Sequence, residues 1–172
     1  RIKNRGYWSA CGSSAEAEFL RFTGEQEKSV LEAGFMWQKT TRESKKYQLR
    51  GEILSFIPVD KNVEIMLVTI TNTGRMAQTV TPTAAIPLYG RSADNIRDHR
   101  HVTSLLHRIE TTDTGVLVTP TLSFDERGHQ VNHMTYYCVG WSGNGEKPVD
   151  FYPTAEDFVG EGGNFERPYA IV

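Results

Sequence analysis

Alternation of apolar and polar side chains between Tyr47 and Asn72 is the feature that most restricts what this chain can fold into. In "YQLRGEILSFI" (47–57), Tyr47, Leu49, Gly51, Ile53, Ser55 and Ile57 share one parity, while Gln48, Arg50, Glu52, Leu54 and Phe56 take the other. Successive side chains of an extended chain point to opposite faces, so this pattern predicts a strand with one mainly apolar face. "PVDKN" (58–62) follows as a turn, since Pro, Asp and Asn each favour turn backbone, and "VEIMLVTITN" from Val63 gives a second strand. "TNTGR" turns the chain again.

The same pattern extends along the chain. Further strands are predicted at "FLRF" (19–22), "GFMWQKT" (34–40), "GVLVTPTLSF" (115–124) and "MTYYCVGW" (134–141), with "DERGHQ" (125–130) as a hairpin loop in which Gly128 is available for positive φ. "QTVTPTAAIPLYG" (78–90) contains Pro82 and Pro87, which restricts it to an edge or bulged strand. The stretches 142–148 and 160–164 read as loops. Six or more short strands with turn signals between them indicate an all-β antiparallel sandwich or barrel. At 172 residues the chain is long enough for one domain with a real core.

Charge and cysteine usage narrow the function classes. Nineteen Lys and Arg against 21 Asp and Glu leave a net charge of -2, which argues against a broad basic face for nucleic acid or an anionic membrane. No run approaches the roughly 20 apolar residues that span a bilayer, and no charged start followed by an apolar segment marks a signal peptide. The start at Arg1 suggests a processed product or a piece of something longer. Cys11 and Cys138 lack C-x-x-C spacing; two buried thiols in a reducing compartment are expected.

Chemistry concentrates in "GRSADNIRDHRHVTSLLHRIE" (90–110), which holds four arginines, three of the chain's five histidines and two aspartates. His99 and His101 form an H-x-H pair that a strand would aim the same way, as a metal site needs. His107 lies about 20 Å further along an extended chain, Arg97 and Arg100 place positive charge beside any cation, and positions 105 and 106 are leucines, so no metal is expected. Anion or sugar binding suits the residues better: guanidinium groups offer planar paired donors, and His and Asn add short-range donors and acceptors. A solvated turn in which Arg91/Asp94 and Arg97/Asp98 pair with one another is the competing reading. Val102, Leu105, Leu106 and Ile109 fit helical spacing behind an Asn95 cap, and equally a strand buried on both faces.

Other constellations carry less. "TAEDFVGEGGNFERP" (154–168) lacks the Lys-Ser/Thr of a phosphate loop, and Asp157 and Glu161, four apart in a loop, fix no acid–base distance. No G-x-S-x-G elbow is present. Trp8, Trp37, Trp141, Tyr136 and Tyr137 have the chemistry to stack on sugar rings, but aromatic residues in strands more commonly fill the core.

"IPLYGRSADNIRDHRHVTSLLHRI", "VLVTPTLSFDERGHQ", "YPTAEDFVGEGGNFERPYAIV" and the upstream "YQLRGEILSFIPVDKNVEIMLVTITNTG" together resemble the amino-terminal domain of the inverting β-glycan phosphorylases. That group contains the cellobiose, chitobiose and laminaribiose phosphorylases. The likeness spans about residues 19–172 and is most specific at 90–108; Phe158, Gly160, Gly163 and Pro168 form a supporting "F-x-G-x-x-G" plus Pro signature. The resemblance implies an antiparallel β super-sandwich, galactose-mutarotase-like, incomplete by itself and joined in the whole enzyme to an α/α barrel. The barrel holds the general-acid aspartate and the phosphate site, so no catalytic residue carries over. By the same resemblance, 101–109 is a strand, Arg100 and His99 stand where a Gln-Arg pair reaches the acceptor sugar, and Arg97 and Asn95 brace the loop. His99 in place of glutamine, and the run from Arg91 to Asn95, point away from cellobiose towards other β-glucans, β-1,2- or β-1,3-linked. The family further implies a cytoplasmic homodimer acting on β-glucooligosaccharides, with inorganic phosphate as co-substrate and no other cofactor, and no nucleic-acid or membrane partner. A free-standing carbohydrate-binding module, a structural fragment with an open edge, and a metal enzyme are the rival readings.

Overall fold

The alternation around Leu49 builds the central part of an antiparallel meander. The computed structural model describes residues 1–88, 107–125, 128–131, 133–165 and 167–172, and these divide into two compact units. The first comprises Arg1–Thr83 and Val159–Val172. Its sheet contains β1 (Ser29–Gly34), β2 (Trp37–Ser44), β3 (Leu49–Phe56) and β4 (Ile65–Asn72), hydrogen-bonded in that order and antiparallel throughout. Residues directly opposite in register share a face. Leu49, Gly51, Ile53 and Ser55 therefore lie with Ser44, Arg42, Thr40 and Gln38 of β2, and with Asn72, Ile70, Val68 and Met66 of β4. On β3 this face is the more buried one, as the alternation predicts.

One half of that face is covered by the N-terminal segment. Ile2, Tyr47 and Leu49 form the buried cluster, with Trp8 and Ile70 packed against it. The segment is held in place by an isolated bridge from Ile2 to Val80, and by Lys3 N–H donating to Thr79 O at 3.0 Å and Thr81 N–H to Arg1 O at 2.9 Å. Above Gly51 there is no room for a side chain: a Cβ there would lie 2.9 Å from Ala10 Cβ and 3.2 Å from the Trp8 ring. Arg42, beside Gly51 on the same face, is 7% exposed. Its Nη2 donates to Glu27 Oε2 at 3.1 Å, and Trp8 Nε1 donates to the same oxygen at 2.9 Å. Burying a charge is tolerable only with such partners, and this pair ties the segment to the sheet.

The second unit, Ala84–Phe158, contains a three-stranded antiparallel sheet in the order β5-β6-β9, made of β5 (His107–Thr111), β6 (Gly115–Pro120) and β9 (Tyr136–Val139). Val118 and Pro120 are buried, and Val116, Tyr136 and Cys138, which share their face, are half-buried. β7 (Leu122–Asp125) and β8 (Gly128–Val131) pair as a hairpin. A short helix, α2 (Ala155–Val159), precedes the return of the chain to the first unit. The predicted all-β, antiparallel class is the one observed.

Several local expectations are corrected. "FLRF" is helical, within α1 (Ala15–Thr23): Ser14 caps it by accepting from Ala17 N–H at 3.2 Å, Glu16 and Glu18 occupy the first turn, and Gly24 closes it at φ 73°. These end signals outweigh a four-residue alternation. The stretch 34–40 is split by a hairpin, with Phe35 and Met36 between the paired Gly34 and Trp37. "DERGHQ" is not all loop, because Gly128, His129 and Gln130 continue β8. Over 78–88 no strand forms; Val80 alone makes its bridge, next to prolines that lack the N–H a ladder needs. The thiols are not both buried either: Cys11 is exposed and Cys138 half-buried. Among the described residues no helix is long and apolar enough to cross a membrane.

Leu49→Ala is expected to lower unfolding stability by about 2–4 kcal/mol in urea titrations, because the cavity sits between Ile2 and Tyr47. Lys45→Ala, on the exposed β2–β3 connection, should stay within about 0.5 kcal/mol. Arg42→Ala should cost about 3 kcal/mol by leaving Glu27 without its cation.

Candidate functional site

Residues 89–106 are outside the described set, and with them Asn95, Arg97, His99, Arg100 and His101. The start of β5 is described. His107 pairs with Pro120, a fully buried residue of β6, so the chain leaving the arginine-rich run enters the sheet at a fixed point. His107 Nε2 is itself buried and has no hydrogen-bond partner among the described residues. The predicted strand at 101–109 is observed over 107–109, and its earlier part lies outside the described residues.

The glycine-rich signature near the C-terminus has a structural explanation. Thr154 caps α2: its Oγ1 accepts from Asp157 N–H at 3.1 Å and donates to Asp157 Oδ2 at 2.8 Å. Asp157 is thereby engaged as a capping residue, which accounts for it without any acid–base role. Gly160 ends the helix at φ 71°, a left-handed conformation that glycine adopts freely, and a Cβ there would press on Tyr169. Tyr169 N–H donates to Val159 O at 2.9 Å, and a Cβ on Gly163 would overlap that same carbonyl oxygen. Pro168 is buried. The motif therefore folds a strap after a helix; it does not cradle an anion before one.

The aromatic residues divide in a way that core patterning does not foresee. Trp8 is half-buried against the core cluster, and Tyr136 is half-buried on the inner face of the three-stranded sheet. Trp37, Tyr137 and Trp141 are exposed, the last two at 58% and 68%. Among the described residues, no group of three metal-ligating side chains comes together.

The Trp8–Glu27–Arg42 cluster was not visible in the sequence. Its one signal is an arginine in an otherwise neutral parity of "WQKTTRES". Cys11 departs from the buried thiol expected. Partial burial pushes its thiol up, but hydrogen bonds with Ser13 and Ser9, at 3.4 and 3.2 Å, outweigh this and hold it below the ordinary thiol range. Cys138 is pushed up by burial.

Among the described residues the chain is mainly β, built of antiparallel sheets with a glycine-built strap near the C-terminus, which defines the class as an antiparallel all-β domain. Residues 2–172 match the model of the glycosyl hydrolase 94 supersandwich domain, and the chain belongs to that family. This is the amino-terminal domain of the family 94 phosphorylases, enzymes of carbohydrate metabolism. No curated protein matches the chain.

Because only the thiolate is nucleophilic, iodoacetamide at neutral pH should label Cys11 several-fold faster than Cys138. Peptide mass mapping of partly labelled protein would measure it. Equal rates would mean that the serine hydrogen bonds do not form.

Proposed function

We propose that the chain is the non-catalytic sandwich domain of an inverting, phosphate-dependent phosphorylase of β-linked glucooligosaccharides, and that its arginine-rich segment contacts the acceptor sugar. The observation that carries this reading is the family match across residues 2–172, combined with the density of planar donors at 91–100. In the whole enzyme phosphate attacks the anomeric carbon opposite the leaving sugar, and an aspartate of the α/α barrel protonates the departing oxygen. Arg100 holds two acceptor hydroxyls through paired N–H groups, His99 adds a single donor or acceptor, and Arg97 and Asn95 brace the loop. A histidine at 99 favours β-1,2- or β-1,3-linked substrates. The enzyme acts as a cytoplasmic homodimer in this reading; two free thiols, one of them exposed, suit a reducing compartment.

The test is acceptor kinetics in the full enzyme, in the direction of synthesis from α-glucose 1-phosphate. Arg100→Ala should reduce acceptor kcat/KM by about tenfold to a hundredfold, the worth of a charge-assisted hydrogen bond. Arg91→Ala should leave it nearly unchanged. Equal, small effects of the two would return the segment to a charged turn.

A further inference from the structure

The outer face of the three-stranded sheet presents Tyr137, and Trp141 is exposed just beyond its last strand. In register, Glu110 of β5, Leu117 of β6 and Tyr137 of β9 form one row across it, and Arg108 and Thr119 belong to the next. Thr135 adjoins that second row, its hydroxyl 3.2 Å from that of Thr119. On the other side of Tyr137, Gly115 pairs with Val139 and leaves no side chain beside it. Trp141 follows four residues after Tyr137, about 13 Å along an extended chain. The ladder continues towards it, since Gly140 N–H donates to Thr114 O at 3.0 Å.

Trp141 is presented by an ordered turn. Ser142 Oγ accepts from Asn144 and Glu146 N–H and donates to Glu146 Oε2, and Ser142 N–H donates to Glu146 O at 2.8 Å. Lys147 Nζ then pairs with Asp113 Oδ2, fixing the end of this turn to the β5–β6 connection. Two exposed rings at 58% and 68%, one on a sheet and one on a braced turn, leave water in contact with apolar surface that an internal core would have removed.

We propose that Tyr137 and Trp141 form a carbohydrate-binding platform for a β-linked glucooligosaccharide. Pyranose rings carry C–H groups on their faces and hydroxyls on their rims, so they suit aromatic faces flanked by polar groups. Thr119, Thr135 and Glu110 supply hydroxyl and carboxylate partners along the rim. Glu110 and Arg108 offset one another, as a neutral ligand requires, and the family's carbohydrate chemistry decides for a glucan over another neutral amphiphile. The platform is independent of the acceptor role given to Arg100.

Titration of the full chain with laminarihexaose and with cellohexaose, followed by tryptophan fluorescence and by amide chemical shifts, tests this. Saturable binding is expected, weakened about fivefold to tenfold by Trp141→Ala or by Tyr137→Ala and retained by Trp141→Phe. Both alanine variants alter exposed side chains, and unchanged melting curves would show them folded. Lys45→Ala, on the exposed β2–β3 connection, should leave the titration as it was. Absence of saturable binding to either glucan would overturn the proposal. So would binding lost with Arg100→Ala but not with Trp141→Ala, which would leave the acceptor reading standing. A concentration-dependent dimer abolished by Trp141→Ala would assign the rings to self-association and would also overturn it.

Discussion

The contact of Leu49 with Ile2 and Tyr47 is the interaction on which the first unit depends. β3 is central to its meander, so its buried parity sets the facing of both neighbours, and a slip of one residue would turn every side chain over. The N-terminal segment reads that parity directly. It approaches so closely at Gly51 that a methyl group there would meet Ala10 and Trp8, and it is fixed by the Glu27 carboxylate that Trp8 and Arg42 share. Apolar burial supplies the driving force, at about 1.5–3 kcal/mol per fully covered side chain, and the buried ion pair supplies position. Over the other half of the same face Leu31, Met66 and Val68 remain exposed. The covered half therefore carries most of this unit's hydrophobic stabilisation.

Strands were legible where two signals coincided. At 49–56, 65–72, 115–120 and 136–139 alternation or an apolar run is bounded by Pro, Asp, Asn or Gly, and each forms a strand. Where a single signal stood alone it misled. The apolar pair Phe35–Met36 reads as strand by residue type, yet it occupies a hairpin tip, with Met36 at φ 60°. In "FLRF" the decisive residues, Ser14 and Gly24, stand outside the window that looked extended. Thr79, Val80, Thr81 and Thr83, around Pro82, have strand propensity, but propensity cannot replace missing backbone donors.

The candidate site was legible in its chemistry and not in its geometry. Four arginines and three histidines within 90–110 are a dense set of hydrogen-bond donors, compatible with an anion, a sugar or a self-paired turn. Which of Asn95, Arg97, His99 and Arg100 faces a ligand is a matter of loop conformation, on which alternation and propensity are silent. The aromatic residues show the same limit from the other side. Tyr136 and Tyr137 are adjacent in sequence and identical in type, yet one faces the inner surface and the other is exposed, because a strand sends neighbours to opposite faces. Residue type names what a side chain could bind; parity decides what it meets.

Several residues of the C-terminal glycine-rich stretch serve the fold itself, for physical reasons. Gly160 is required by a left-handed turn, Gly163 by the Val159 carbonyl, and Asp157 by the cap of α2; each answers a local backbone demand that any ligand specificity leaves unchanged. Tyr137 and Trp141, both exposed, answer no such demand. Substituting the exposed rings costs little folding energy, so the proposed platform can change while the glycine-built strap and the Leu49 core stay fixed.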